Sequence, residues 1–337
     1  MTKDINQLTD SNKNDLDFSS LSSWIEKIDE KITLSVESNS ETLSNISKYL
    51  HSLGGKKIRP ILTSLSAKLF GMNTPTKELI TVAAGIEMIH MATLLHDDII
   101  DQSELRRKKI SAYKKFGLNS TLLAGDFLLV RAFGLCGQLE KNIVTETELA
   151  CAELTEGEIL EGQLSEERIN VSLEEYLDII QKKTASLFGL SCYTGTYLAT
   201  KSNELAYLMK DFGIISGLSF QMIDDILDIT STEEILGKPI GTDLRQKTPS
   251  LINILWLIND KESATRFFSS SNCDNESINE AINSIKKCGV IEQSKKIAVD
   301  YSMRAKNLLS QLDSKNIDPQ SIALFDHLLN YTINRLN

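Results

Sequence analysis

The 337 residues carry 41% hydrophobic side chains and only 5 prolines, enough for a sizeable core and for long uninterrupted helices. A formal charge of −10 excludes a general nucleic-acid binder, so an anionic substrate has to be held by local cations or by metal. The five cysteines, at 136, 151, 192, 273 and 288, form no CxxC pair and read as reduced thiols rather than a disulfide frame or a zinc site.

In chain order, residues 1–18 are polar and acidic and read as a frayed tail, with one domain expected over 19–337. From Leu21 to Leu53 apolar residues recur at three- and four-residue steps, which predicts a helix stopped by Gly54-Gly55. A second helix is predicted from Lys56–Pro60 through Phe70. A third starts near Pro75 and runs to about Arg107. Further helices are predicted over 120–139, 146–163, 173–200, 203–230 and 250–257, then 290–312 and 319–336. Residues 269–277, SSSNCDNES, read as a surface loop. No apolar run of membrane-spanning length stands out, and the fold class expected is all-α.

Two acidic stretches dominate this frame. Asp97, Asp98 and Asp101 repeat the spacing of Asp224, Asp225 and Asp228, each set embedded in aliphatic sequence. On a helix, residues four apart stack one turn apart, so each set forms a cluster on one side. Like charges this close are costly unless a cation lies among them. Oxygen ligands of this kind suit magnesium, which shares one or two carboxylates with substrate phosphates. Two clusters therefore suggest a cage around a diphosphate.

The ordered series GGKKIRP (54–60), EMIHMATLLHDDIID (87–101), Arg106-Arg107, LLAGDFLLVRAF (122–133), EGEIL (156–160), YLDIIQKKTASLFGLSCYTG (176–195), FQMIDDILD (220–228) and GKPIGTDL (237–244) resembles the trans-isoprenyl diphosphate synthases, or polyprenyl synthetases. The resemblance implies a single large antiparallel bundle around a deep cavity, commonly a homodimer. The six aspartates would hold several Mg2+ ions that bridge the diphosphate. Lys56, Arg59, His90 and Arg107 match positions that hold isopentenyl diphosphate. Arg106, Lys183, Thr184, Gln221 and Lys238 match positions that touch the allylic diphosphate.

The resemblance also implies that the fifth residue before the first acidic motif sets product length. Here it is Ala92, beside Thr93, with Met88 and Ile89 deeper on the same helix and then Gly85. Five residues span about 7.5 Å, so a methyl at this depth predicts an open path and a long all-trans product, the kind that supplies a quinone side chain. A short-chain synthase, the catalytic half of a heteromeric synthase with a small partner, and a cyclase using the same cage are the rival readings. Three departures from the family pattern stand out: Lys57 for arginine, Lys108 for glycine, and a shortened stretch after Asp243 that leaves Lys247 as the candidate late phosphate-binding lysine. A cytoplasmic location is expected, with peripheral membrane contact as a lipidic product leaves.

Overall fold

The helix that carries the first acidic cluster begins at Thr76, whose hydroxyl accepts the Leu79 N–H at 3.2 Å, and runs Lys77–Ile100. It is apolar nearly all round and accordingly buried on nearly every side, from Leu79 through Leu95. In the computed structural model, residues 19–167, 171–232, 239–270, 273–312 and 317–336 are described. The expected tail at 1–18 lies outside them.

Elements follow in the order Ser19–Ser35, Glu41–Ser52, Ile58–Leu69, Lys77–Ile100, a two-stranded hairpin of Leu105–Arg106 and Lys109–Ile110, Ala112–Phe116, Leu118–Cys136 and Lys141–Glu167. Then come Leu173–Ile180, a π-helical turn Gln181–Ala185, Ser186–Thr200 and Asn203–Thr230. The remainder is Thr242–Gln246, Leu251–Asn259, Lys261–Ser269, Asn275–Lys287, Val290–Leu309 and Pro319–Asn334. The all-α expectation holds, with the hairpin as the one strand pair among the described residues.

Four expectations need correction. The helix expected over 21–53 is two helices, because Ser40 is extended and accepts from Leu43 N–H (3.5 Å) while Ser44 Oγ accepts from Ser38 N–H (2.9 Å). Polar groups that satisfy the backbone locally compete with helix there. The third helix ends at Ile100, not near Arg107, since Gln102, Arg107 and Lys108 all take left-handed conformations. The loop expected over 269–277 is shorter than its composition suggests: Ser269 ends the Lys261–Ser269 helix, and Asp274 caps Asn275–Lys287 by accepting the Ser277 N–H at 2.9 Å. Finally, Lys77–Ile100 and Leu118–Cys136 are long and apolar enough to pass as membrane spans, although 72% of the first one's apolar window is buried within the protein.

The chain forms two compact units. The first comprises the described residues within 1–151, 187–213 and 308–328, and the second those within 152–186, 214–307 and 329–337. In the first, Lys77–Ile100 packs on Ser19–Ser35, Ile58–Leu69 and Leu118–Cys136. The last contact is close because Gly85 has no side chain: a Cβ there would lie 2.6 Å from Cys136 Sγ. The second unit is cored by Tyr176, Met222, Ile223, Ile226, Trp256 and Phe268, with Leu251–Asn259 packed on Lys261–Ser269 and Leu173–Ile180.

Candidate active site

In the first unit, Asp97 and Asp98 occupy the last turn of their helix. Asp101 caps it, its N–H bonding the Asp97 carbonyl at 2.8 Å. The three carboxylates stay in helical phase even though the helix has ended. Asp98 is fully buried, and Arg106 donates to its Oδ1 from Nε at 2.9 Å and from Nη2 at 2.5 Å. Burial raises the Asp98 pKa and Arg106 opposes that rise. The other oxygen, Oδ2, is buried and has no hydrogen-bond partner.

The hairpin is what brings Arg106 back onto the helix it follows. Arg107 and Lys108, at φ 52° and 63°, form its two-residue turn. Asparagine and glycine usually fill such a turn, and Arg107-Lys108 carries neither. Gly55, at φ 147°, takes a backbone conformation that side chains rarely adopt, and the Arg107 guanidinium lies over it, within 2.6 Å of where a Cβ would stand. Lys56 is half-buried in the same loop. Lys57, the departure from arginine, pairs with Asp29 at 3.0 Å and Glu87 at 3.7 Å. Arg59 opens the next helix 5.4 Å from the Phe188 ring, its pKa lowered to about 10 by burial against the pull of Glu87 and Asp97. His90 is held neutral: burial lowers its pKa well below the usual value, and Arg59, Arg107, Arg106 and Lys57 push it the same way. Lys56 apart, these residues therefore form one electrostatic neighbourhood beside the first acidic cluster.

Deeper along that helix Met88, Ile89 and Ala92 are completely buried, while Thr93 is half-buried and donates to the His90 carbonyl at 2.9 Å.

In the second unit the aspartates differ from one another. Asp225 is embedded: Tyr176 Oη donates to Oδ2 at 2.8 Å, Leu251 N–H at 2.9 Å, and Gln221 Nε2 to Oδ1 at 3.0 Å. Burial raises its pKa and these three donors oppose the rise. Asp228 accepts the Asp243 N–H at 3.1 Å and, through its carbonyl, the Gly241 N–H at 2.9 Å. Both residues thereby brace the segment that follows their helix. Asp224 faces a different partner, Arg335, at 2.7 Å.

Thr184 donates to Gln221 Oε1 at 2.9 Å, so a chain of hydrogen bonds runs Thr184–Gln221–Asp225. Lys183 and Thr184 lie in the π-helical turn, a local widening that often accompanies function. Lys183 is held by Glu158 at 2.7 Å and by Glu161. Lys238 lies outside the described residues. Lys247, the candidate late phosphate-binding lysine, is buried and donates to the carbonyls of Phe268 (3.1 Å) and Ser270, closing the end of the Lys261–Ser269 helix.

Tyr176, Asp243, Glu158, Glu161 and Arg335 join the site without any mark in the sequence that singles them out. The two glutamates and Tyr176 lay within or beside recognised motifs, where their spacing to Lys183 and Asp225 was invisible without the fold. Among the described residues no three His, Cys, Asp or Glu side chains converge on one point. A cation here would thus be shared between carboxylate and phosphate oxygens, which the all-oxygen donors and the unpartnered Asp98 Oδ2 fit.

The family model described as Polyprenyl synthetase matches residues 40–285. The chain belongs to the polyprenyl synthetase family. As a polyprenyl synthetase it is a prenyltransferase, and it is 34% identical over 328 residues to heptaprenyl diphosphate synthase component 2 of Bacillus subtilis, covering 92% of this chain and 89% of that one. It is 32% identical over 280 residues to the geranylgeranyl diphosphate synthase of Methanosarcina mazei, covering 81% and 84%. Among solved structures, the polyprenyl synthase of Caulobacter crescentus, crystallised with calcium and isoprenyl diphosphate, superposes with a TM-score of 0.88 at 28% identity, covering 100% of this chain and 98% of that one. Relatives of this polyprenyl synthetase thus carry both short-chain and long-chain names.

Proposed function

We propose that this polyprenyl synthetase condenses isopentenyl diphosphate head-to-tail onto an allylic diphosphate, repeatedly, to give a long-chain all-trans polyprenyl diphosphate used as a quinone side-chain precursor. The observation that carries the long-chain reading is the alanine at position 92, one and a half turns below Asp97, where a bulky side chain would block a growing tail.

Asp97, Asp98 and Asp101 in the first unit, and Asp224, Asp225 and Asp228 in the second, are the proposed Mg2+ ligands, with Asp225 and Asp228 also bracing the backbone. Bound metal supplies charge stabilisation to the departing allylic diphosphate. Arg106, Lys183, Thr184, Gln221 and Lys238 orient that diphosphate through point charges and forked donors. Lys56, Arg59, His90 and Arg107 hold isopentenyl diphosphate, the neutral imidazole donating one hydrogen bond without adding charge. The isopentenyl double bond attacks the allylic cation, a new C–C bond forms, and a proton leaves to the released diphosphate. Burial of Met88, Ile89 and Ala92 fits a water-excluding wall, since water would quench the cation.

Leu122, Leu123, Val130 and Phe133 are exposed along one side of Leu118–Cys136. A second copy of the chain is the proposed occupant of this face. The Bacillus relative's name, component 2, supports a small partner subunit as a second arrangement. A shorter product is the second reading: Gly85, twelve residues or about 18 Å below Asp97, is packed against Cys136. A cytoplasmic enzyme that touches membrane as product leaves completes the reading.

The test incubates purified protein, Mg2+, farnesyl diphosphate and radiolabelled isopentenyl diphosphate, and sizes the products. A ladder reaching six or more units supports the long-chain reading, and arrest at three or four overturns it. Chelation of the metal is expected to stop incorporation and Mg2+ to restore it.

A further inference from the structure

Immediately after the first acidic cluster the charge of the chain reverses. Between residues 104 and 118 stand Arg106, Arg107, Lys108, Lys109, Lys114 and Lys115 against a single carboxylate, Glu104, in a protein of net charge −10. Lys108, Lys109, Lys114 and Lys115 are all exposed.

Apolar side chains stand among them. Leu105 and Ile110 are directly paired across the hairpin and remain 48% and 55% exposed. Directly opposed residues share one face of a hairpin, and the next pair, Arg106 with Lys109, takes the other. Arg106 reaches Asp98, so Leu105 and Ile110 are displayed on the side away from that carboxylate. Ile100, at the end of the preceding helix, is 57% exposed.

The hairpin is also fixed in place. Tyr49 Oη donates to the Ile110 carbonyl at 2.7 Å, Lys115 lies 3.8 Å from the Tyr49 ring centroid, and Arg106 is anchored on Asp98. An apolar pair held out to solvent by three anchors, ringed by lysines, needs a partner that is both anionic and apolar.

We propose that the Leu105–Ile110 hairpin and the neighbouring Ala112–Phe116 helix form a docking surface for an anionic phospholipid bilayer. Lysines near such a surface each contribute attraction that falls off with ionic strength, and the apolar pair enters the headgroup boundary. The negative charge elsewhere repels the same bilayer, so this face alone turns toward it. A nucleic acid or heparin-like polymer would use the lysines but leave Leu105 and Ile110 unaccounted for. The inference rests on the proposed membrane contact at product release and names the surface that makes it.

The experiment sediments the full chain with phosphatidylcholine vesicles with and without phosphatidylglycerol, at low and raised salt. Wild type is expected to bind only the anionic vesicles, less so in salt. Roughly tenfold or greater weakening is expected in Lys108→Glu/Lys114→Glu, and equally in Leu105→Ser/Ile110→Ser, with isopentenyl incorporation and elution volume unchanged. Equal binding to neutral vesicles, no binding at all, or indifference to both double variants overturns the proposal. Binding to heparin that ignores the Leu105/Ile110 change, together with no vesicle binding, assigns the patch to a polyanion instead. Product sizing is separate: a short product with intact vesicle binding defeats the long-chain reading and leaves the surface standing.

Discussion

Arg106 places two nitrogens on one oxygen of Asp98 and leaves the other oxygen, buried, with no donor. A guanidinium that favours one side of a carboxylate in this way neutralises it without closing it to a second cation.

Removing Arg106 strands a buried charge. Arg106→Gln is expected to lower stability by about 1–3 kcal/mol, read as a urea midpoint. The same change in an Asp98→Asn background is expected to cost clearly less, because the charge left behind is gone. Equal losses in both backgrounds would refute the pairing. Incorporation of isopentenyl diphosphate should fall roughly a hundredfold or more in Arg106→Gln.

His90 makes stability depend on pH. Its ring is held neutral in the fold, whereas the unfolded chain protonates it near about 6.5. Below that pH the unfolded state binds the extra proton, so stability rises with pH and is lost as pH falls through the sixes, at up to about 1.4 kcal/mol per unit. His90→Gln lacks this dependence. Denaturation at pH 7 and pH 5.5 should show the stability gap between wild type and variant shifting in the variant's favour at the lower pH.

Gly85 and Cys136 are matched in size. Gly85→Ala is expected to destabilise by about 1–3 kcal/mol through overpacking, since its new methyl meets sulfur at 2.6 Å. Adding Cys136→Ala should recover most of the loss in thermal midpoint, because the clash then disappears. Failure of the second change to rescue the first would place the strain elsewhere.

Ala92→Tyr is expected to shorten the longest product by several isoprene units while leaving the first condensation intact. Product sizing against the wild-type ladder is the measurement. An unchanged ladder would mean that the tail does not pass this residue.

Much of the frame was legible because long amphipathic runs and glycine breaks are local signals: the Asn203–Thr230 helix has the limits its sequence predicts. What was missed depends on distant partners or on unusual backbone. The turn at Arg107-Lys108 carries no glycine or asparagine to announce it. The helices Lys261–Ser269 and Asn275–Lys287 hide behind a serine- and asparagine-rich stretch that looks like loop by composition alone. At the candidate site the residue types of the acidic clusters were plain. The division of labour between an embedded Asp225 and an Asp224 turned to Arg335 was not, because Tyr176, Leu251 and Arg335 come from remote parts of the chain.

The π-helical turn at Gln181–Ala185 gives this stretch a tolerance in length. A π turn accommodates one residue more than an α-helix needs, without changing the phase of the residues on either side. Deleting Lys182 would let the helix become regular and leave Tyr176 on Asp225, while Lys183 and Thr184, inside the turn, would swing away from their present partners. Deleting a second residue would rotate every side chain before the gap by about 100° relative to those after it. A one-residue gap here is therefore expected to spare the fold and lower activity, and a two-residue gap to cost both.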